Sequence, residues 1–220
     1  MGALLDAEED SLVDSSFQAF EMEHLMNMGE KNIVPVLLYL FRQVELRMDG
    51  RPTMVALDEC WLMLAHPLFR EKVREWLKTW RKKNALVFLA TQELADVMNS
   101  PIRDVILASC PTKILLPNPE ANESSSRPMY ELIGLNDREI EILARATVKR
   151  DYYYKSPLGR RIFSFGFGPV TLSFVGASGQ EDLRTVHNLV STHGEAWVAE
   201  WLRHRGLNDA AAQWEKGVHK

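Results

Sequence analysis

Arg51-Pro52-Thr53-Met54-Val55-Ala56-Leu57-Asp58-Glu59-Cys60-Trp61 is a short apolar run closed by two adjacent carboxylates, and the fold of the chain turns on how it is read. Bounded by Gly50 and Pro52 and too short for a helix, it suits a buried parallel strand, whose carboxyl end is where open α/β sheets hold ligands. At that end Asp58 is placed to hold Mg²⁺ and Glu59 to orient water. The alternative is a pair of solvated strand-end carboxylates. The usual phosphate-cradling partner, a G-x-x-x-x-G-K-[ST] loop, occurs nowhere in the 220 residues, so the chain is expected to carry half of a hydrolytic site.

Working outward, Pro67 to Lys83 reads as an amphipathic helix with Leu68, Val73, Trp76, Leu77 and Trp80 on its apolar stripe, and Ala85 to Ala90 as a second buried strand. That strand ends in Thr91-Gln92. Neighbouring strand ends bring Gln92 near Glu59, where an amide can donate to a phosphate oxygen and accept from water. Capping of the following helix is the other reading of Gln92. Trp80-Arg81-Lys82-Lys83-Asn84 precedes the second strand, at the opposite end from Gln92. Arg81 is therefore out of reach of its own strand-end site, but in a ring it can face a neighbour's nucleotide as an arginine finger. A basic helix C-terminus favoured by the helix dipole explains the same residues without function.

Before this unit, Lys31 to Met48 has helical apolar spacing with Pro35 in its first turn, Ser16 to Met22 alternates like a strand, and Ala3 to Leu12 reads as a short acidic helix. After it, helices are expected over Glu93 to Met98 and Pro101 to Ser109, then a strand over Thr112 to Leu116 that continues the parallel rhythm. Glu120 to Pro128 reads as a flexible loop, and Asn136 caps a helix through Ala146. Three runs, Lys149 to Lys155, Arg160 to Ser164 and Val170 to Val175, suggest an antiparallel meander near 149–175. Helices return from Gln180 to Trp214, with breaks at Gly194 and Gly206. Tyr152, Tyr153 and Tyr154 are assigned to cross-strand packing, and Trp61 to support beneath the Asp-Glu turn.

The composition, 46% hydrophobic and 25% charged, is that of a globular protein with a sizeable core. A net charge of -4 and a pI near 5.9 leave a general nucleic-acid surface unsupported. Cys60 and Cys110 form neither a CxxC pair nor a disulfide framework, which points to a reducing cytoplasm. No run approaches a membrane span, the six histidines lack metal-ligand spacing, and no nucleophile elbow is present. N-myristoylation after Met1-Gly2 is disfavoured by Asp6. Arg160 and Arg161, beside Gly159, are second candidates for phosphate contact, although solvated hairpin arginines are the simpler reading.

Thr53 to Trp61, Leu77 to Asn84 and Val87 to Gln92, in that order, resemble the C-terminal motor domain of the type IV secretion and conjugative transfer ATPases of the TrbE/CagE kind. The resemblance continues through Leu116-Pro117-Asn118-Pro119, through Tyr152 to Arg161 and to Gly166-Phe167-Gly168-Pro169-Val170, and so covers nearly the whole chain. It implies a RecA-like, mostly parallel sheet with flanking helices, ATP and Mg²⁺ as cofactors, Asp58 and Glu59 as the Walker B pair, Gln92 as sensor and Arg81 as finger across subunits. It also implies a ring-like oligomer, peripheral at the cytoplasmic face of the bacterial inner membrane, working with other secretion ATPases, the coupling protein and channel components.

On this reading residues 1–176 are the C-terminal part of a RecA-like ATPase domain, and 177–220 are its helical tail. The chain is expected to begin after the P-loop and to be inactive alone. The competing expectation is a non-catalytic module that docks partner ATPases or channel components.

Overall fold

The computed structural model describes residues 15–21 and 30–218, and the chain divides into two compact units that meet in sequence at Pro111 and Thr112. In the first unit, helix α1 (Glu30–Leu46) lays Leu37 and Phe41 into the core. Pro35 is its sixth residue rather than part of the first turn, so the helix forgoes one bond to the Lys31 carbonyl. Strands β1 (Thr53–Leu57) and β2 (Ala85–Leu89) pair in parallel, Thr53 opposite Ala85 through Leu57 opposite Leu89. The crossover consists of α2 (Trp61–Ala65), α3 (Pro67–Thr79) and a 3₁₀ turn, Trp80–Lys83. The α2 turn is absent from the sequence reading, which ran the strand straight into the next helix.

Alternation along the strands decides which face is covered. Val55, Leu57, Val87 and Leu89 pack on the core with Val73, Trp76 and Trp80, whereas Met54, Leu86 and Phe88 on the other face are 68%, 58% and 45% exposed. An aromatic cluster fills the space between α1 and α3: Trp76 meets Phe41 edge-on at 4.6 Å and stacks on Trp80 at 4.4 Å. The Trp76 indole N–H, which would be costly to bury unpaired, donates to Glu45 Oε1 at 2.7 Å. Helices α4 (Leu94–Met98) and α5 (Arg103–Ser109) complete the unit, with Ile102 and Ile106 in the core.

The second unit opens with β3 (Lys113–Leu115), which corrects the expected continuation of the parallel sheet: it pairs antiparallel with β4 (Asp151–Ser156). A short apolar run carries no information on strand direction, and here the aromatic run Tyr152–Tyr154 supplies its partner. Strand β5 (Gly159–Ser164) returns beside β4 as a hairpin. The expected third strand at Val170 to Val175 is instead helix α8 (Pro169–Val175). Gly168 precedes Pro169 at the first helical position, a start signal that outweighs the β-branched composition of the run.

Residues 120–128, expected to be a flexible loop, form successive turns (Ala121 N to Asn118 O, Glu123 N to Glu120 O, Ser126 N to Glu123 O) anchored by fully buried Ala121. They lead into α6 (Arg127–Leu132). Helix α7 (Asp137–Arg145) begins, as expected, on an Asn136 capping box. Helices α9 (Gln180–His193), α10 (Trp197–His204) and α11 (Asn208–Val218) are separated near Gly194 and Gly206, both at positive φ. Residues 15–21 contain no strand, contrary to expectation, while Met22 and the expected helix at 3–12 lie outside the described residues.

Glu139, the acidic half of the capping box, ties the second unit together. It is 5% exposed, accepts from the Tyr153 hydroxyl at 2.6 Å and from Arg160 Nη1 at 2.8 Å, and bonds the Asn136 N–H. Burial pushes its carboxyl up, but the Tyr153, Asn136 and Arg160 donors outweigh this and hold it below its ordinary range. Because the folded-state value is lowered, the stabilisation is complete above the ordinary carboxylate range and is lost as pH falls through the lowered value. Urea denaturation should therefore show stability holding from pH 7 to 5 and dropping below about pH 4. Glu139→Gln should cost about 1–3 kcal/mol at pH 7 and flatten that acid limb.

Candidate functional site

The parallel pairing does not stop where the strands do. Ala90 N donates to Leu57 O at 2.9 Å and Cys60 N donates to Ala90 O at 2.9 Å, so the segments after β1 and β2 leave the sheet side by side. Asp58 and Glu59 fall between those two bonds. To return the Cys60 N–H to Ala90, the chain turns through a left-handed conformation at Glu59, φ 50°. A non-glycine residue there carries a conformational cost of about 1–2 kcal/mol, which the two flanking hydrogen bonds sustain.

This turn brings the predicted residues Glu59 and Gln92 into contact: Gln92 Nε2 donates to Glu59 Oε1 at 2.5 Å. Trp61 Nε1 donates to Glu59 Oε2 at 2.6 Å. The sequence reading placed Trp61 beneath the turn as packing support and missed its donor role; the signal was the i to i+2 spacing of an indole and a carboxylate across a tight turn. Asp58 is exposed beside them, with Oδ1 accepting from Glu59 N at 3.0 Å. Magnesium is commonly bound through one or two carboxylates, water and substrate phosphates, and Asp58 fits as one such ligand. Thr91 Oγ1 donates to Asp96 Oδ2 at 2.6 Å, which fastens the segment before Gln92 to α4. Cys60 is buried beneath the turn; burial, with Asp96 and Asp58 adding, pushes its thiol up to about 11, so it remains protonated.

Arg81 lies at the other end of the strands. It is exposed in the 3₁₀ turn beside Thr53, Asn84 and Ala85, five residues of β-strand and so about 17 Å from the Asp58-Glu59 end. Arg160 is bound to Glu139, and Arg161 lies over the Tyr154 ring at 6.0 Å. Among the described residues, no helix is long and apolar enough to cross a membrane.

Parallel strands joined by a helical crossover, with a polar cluster at their carboxyl ends, define an α/β protein of the kind that holds ligands at a sheet edge. Residues 2–156, well over half of the chain, match the model of the TraG P-loop domain, and the chain belongs to that family. It is 59% identical over 210 residues to the conjugal transfer protein TrbE of Rhizobium radiobacter, an alignment covering 96% of this chain and 26% of that protein. It is 56% identical over 212 residues to a probable conjugal transfer protein TrbE of Sinorhizobium fredii, covering 96% of this chain and 32% of that one.

With the type IV secretion system protein CagE of Helicobacter pylori the identity is 37% over 163 residues, covering 74% of this chain and 16% of that protein. The chain thus spans about a third or less of the length of these relatives. A solved structure of VirB4 from Thermoanaerobacter pseudethanolicus shares the fold, with a TM-score of 0.52 at 19% identity over 66% of this chain and 40% of that one.

The left-handed turn generates a direct test. Glycine tolerates φ 50° and alanine does not, so Glu59→Gly should be about 1 kcal/mol more stable than Glu59→Ala in urea denaturation, the reverse of their order in an ordinary helix or strand.

Proposed function

We propose that the chain is the C-terminal part of an ATP-hydrolysing motor of type IV secretion or conjugative transfer, supplying the metal-and-water side of the site to a P-loop outside the 220 residues. The contact between Glu59 and Gln92 at the end of a parallel strand pair carries the reading. A carboxylate and an amide that share a hydrogen bond can between them accept from a water and donate to a phosphate oxygen. In this reading Asp58 holds Mg²⁺ with the P-loop hydroxyl, and the metal neutralises phosphate charge. Glu59 accepts a proton from the attacking water, and Gln92 reads the terminal phosphate and positions that water.

Arg81, distant from its own strand end, completes the site of a neighbouring subunit in a ring. Its exposure and its position at the opposite sheet edge support this role. Arg161 is the second choice for phosphate contact. Arg160 follows it, because its guanidinium already serves Glu139. Residues 1–176 then belong to the RecA-like ATPase domain and 177–220 to its helical tail. The assembly sits at the cytoplasmic face of the inner membrane with other secretion ATPases, the coupling protein and channel components.

The 220-residue chain alone should show no ATP turnover, since it lacks the loop that positions the phosphates. In a polypeptide that joins these residues to a P-loop, Glu59→Gln should retain ATP binding and lower kcat by about 10²-fold or more. Arg81→Ala should lower turnover of the assembled oligomer by about 10³-fold and leave any monomer rate unchanged. Steady-state ATPase assays check all three, and unchanged oligomer turnover in Arg81→Ala would remove the finger assignment.

A further inference from the structure

Both oxygens of the Glu59 carboxylate are engaged, one by each of two neutral donors. The donors are held differently. Trp61 is the first residue of α2, whose Met63 and Leu64 are buried in the core and whose first turn is closed by Met63 N and Leu64 N on Cys60 O, both at 3.0 Å. An indole has only two side-chain torsions, and its N–H is fixed in the ring plane. Gln92 is exposed in the connection after β2 and turns about three side-chain bonds. One donor is set by the core, and the other is adaptable.

We propose that Trp61 is a positioning residue for Glu59: its indole N–H fixes Oε2 and thereby aims Oε1 at the place shared by Gln92 and the attacking water. The proposal rests on the hydrolytic reading of this strand end and adds the element that orients its base. When the Gln92 amide turns to a terminal phosphate, Oε1 loses a donor and can accept from water, while the indole prevents the carboxylate from swinging towards Asp58 or the metal. An indole donates and cannot accept, so it leaves Glu59 ionised and competent to take a proton. Glutamate on a left-handed turn has no helix or sheet to restrain its side chain, which makes an external anchor necessary.

The hydrogen bond is tested in the 220-residue chain itself by recording the indole N–H resonances of its six tryptophans. Trp61→Phe identifies the Trp61 signal by its loss. Trp76, bonded to Glu45, marks a carboxylate-bound indole, Trp201, bonded to the Ser173 carbonyl, a carbonyl-bound one, and half-exposed Trp214 a solvated one. The Trp61 signal should lie with that of Trp76 and shift towards that of Trp214 in Glu59→Gly, a substitution the φ of 50° accommodates, while the Trp76 and Trp201 signals stay in place and report an intact fold. A Trp61 signal that does not move in Glu59→Gly overturns the proposal.

The consequence is read in a P-loop-bearing polypeptide containing these residues. Trp61→Phe, which keeps an aromatic ring but removes the donor, should lower kcat about 10-fold with KM for ATP unchanged. An unchanged kcat, or a raised KM alone, contradicts it. A Glu59→Gln enzyme that hydrolyses ATP normally would sink the hydrolytic reading instead, and the resonance experiment keeps the two failures apart.

Discussion

Two backbone hydrogen bonds, Ala90 N to Leu57 O and Cys60 N to Ala90 O, set the geometry on which the candidate site depends. They carry the parallel pairing one step past the strands and leave the chain between Leu57 and Cys60 too little length to continue extended. Glu59 absorbs the difference by turning left-handed, and its carboxylate is delivered to Gln92 and Trp61. Backbone strain at one residue is exchanged for a placed carboxylate. Asp58, just before the turn, stays exposed for a ligand that must come from outside.

Each unit has its own means of holding its elements. In the first, apolar packing dominates: Leu37, Val73, Trp76 and Trp80 are at most 2% exposed, and the crossover that contains α3 fixes where β1 and β2 end. In the second, a polar hub, Glu139 with Tyr153, Arg160 and Asn136, joins a helix start to a hairpin. Such a network stabilises because every partner is satisfied, and it consumes Arg160, which the sequence offers as a phosphate ligand. The exposed face of β1 and β2, with Met54, Leu86 and Phe88, is unusual for parallel strands, which are normally covered on both sides.

The parts of the fold legible in the sequence were those with strong local signals. The apolar stripe of α3, the strand before Asp58, the Asn136 capping box and the Gly194 and Gly206 breaks all rest on chemistry within a few residues. Direction and partner were not legible. Lys113 to Leu115 reads the same whether its neighbour runs parallel or antiparallel, and only the distant Tyr153 to Lys155 settles it. Val170 to Val175 has strand composition, but Pro169 after Gly168 starts a helix, and the Trp201 indole N–H caps the Ser173 carbonyl from another helix. At the site, Gln92 beside Glu59 followed from parallel strand order, whereas the Trp61 bond depends on a left-handed φ that no residue type announces.

The central claim is that the β1 and β2 strand ends are the water-and-metal side of a nucleotide site. A structure of a P-loop-bearing polypeptide containing these residues, bound to Mg²⁺ and a transition-state analogue of ATP hydrolysis, measures it directly. The account predicts Asp58 beside the metal shell, and Glu59 and Gln92 within hydrogen-bond reach, about 3 Å, of the attacking water and the terminal phosphate group. A nucleotide seated away from this strand end, with Glu59 still held only by Trp61 and Gln92, would contradict it.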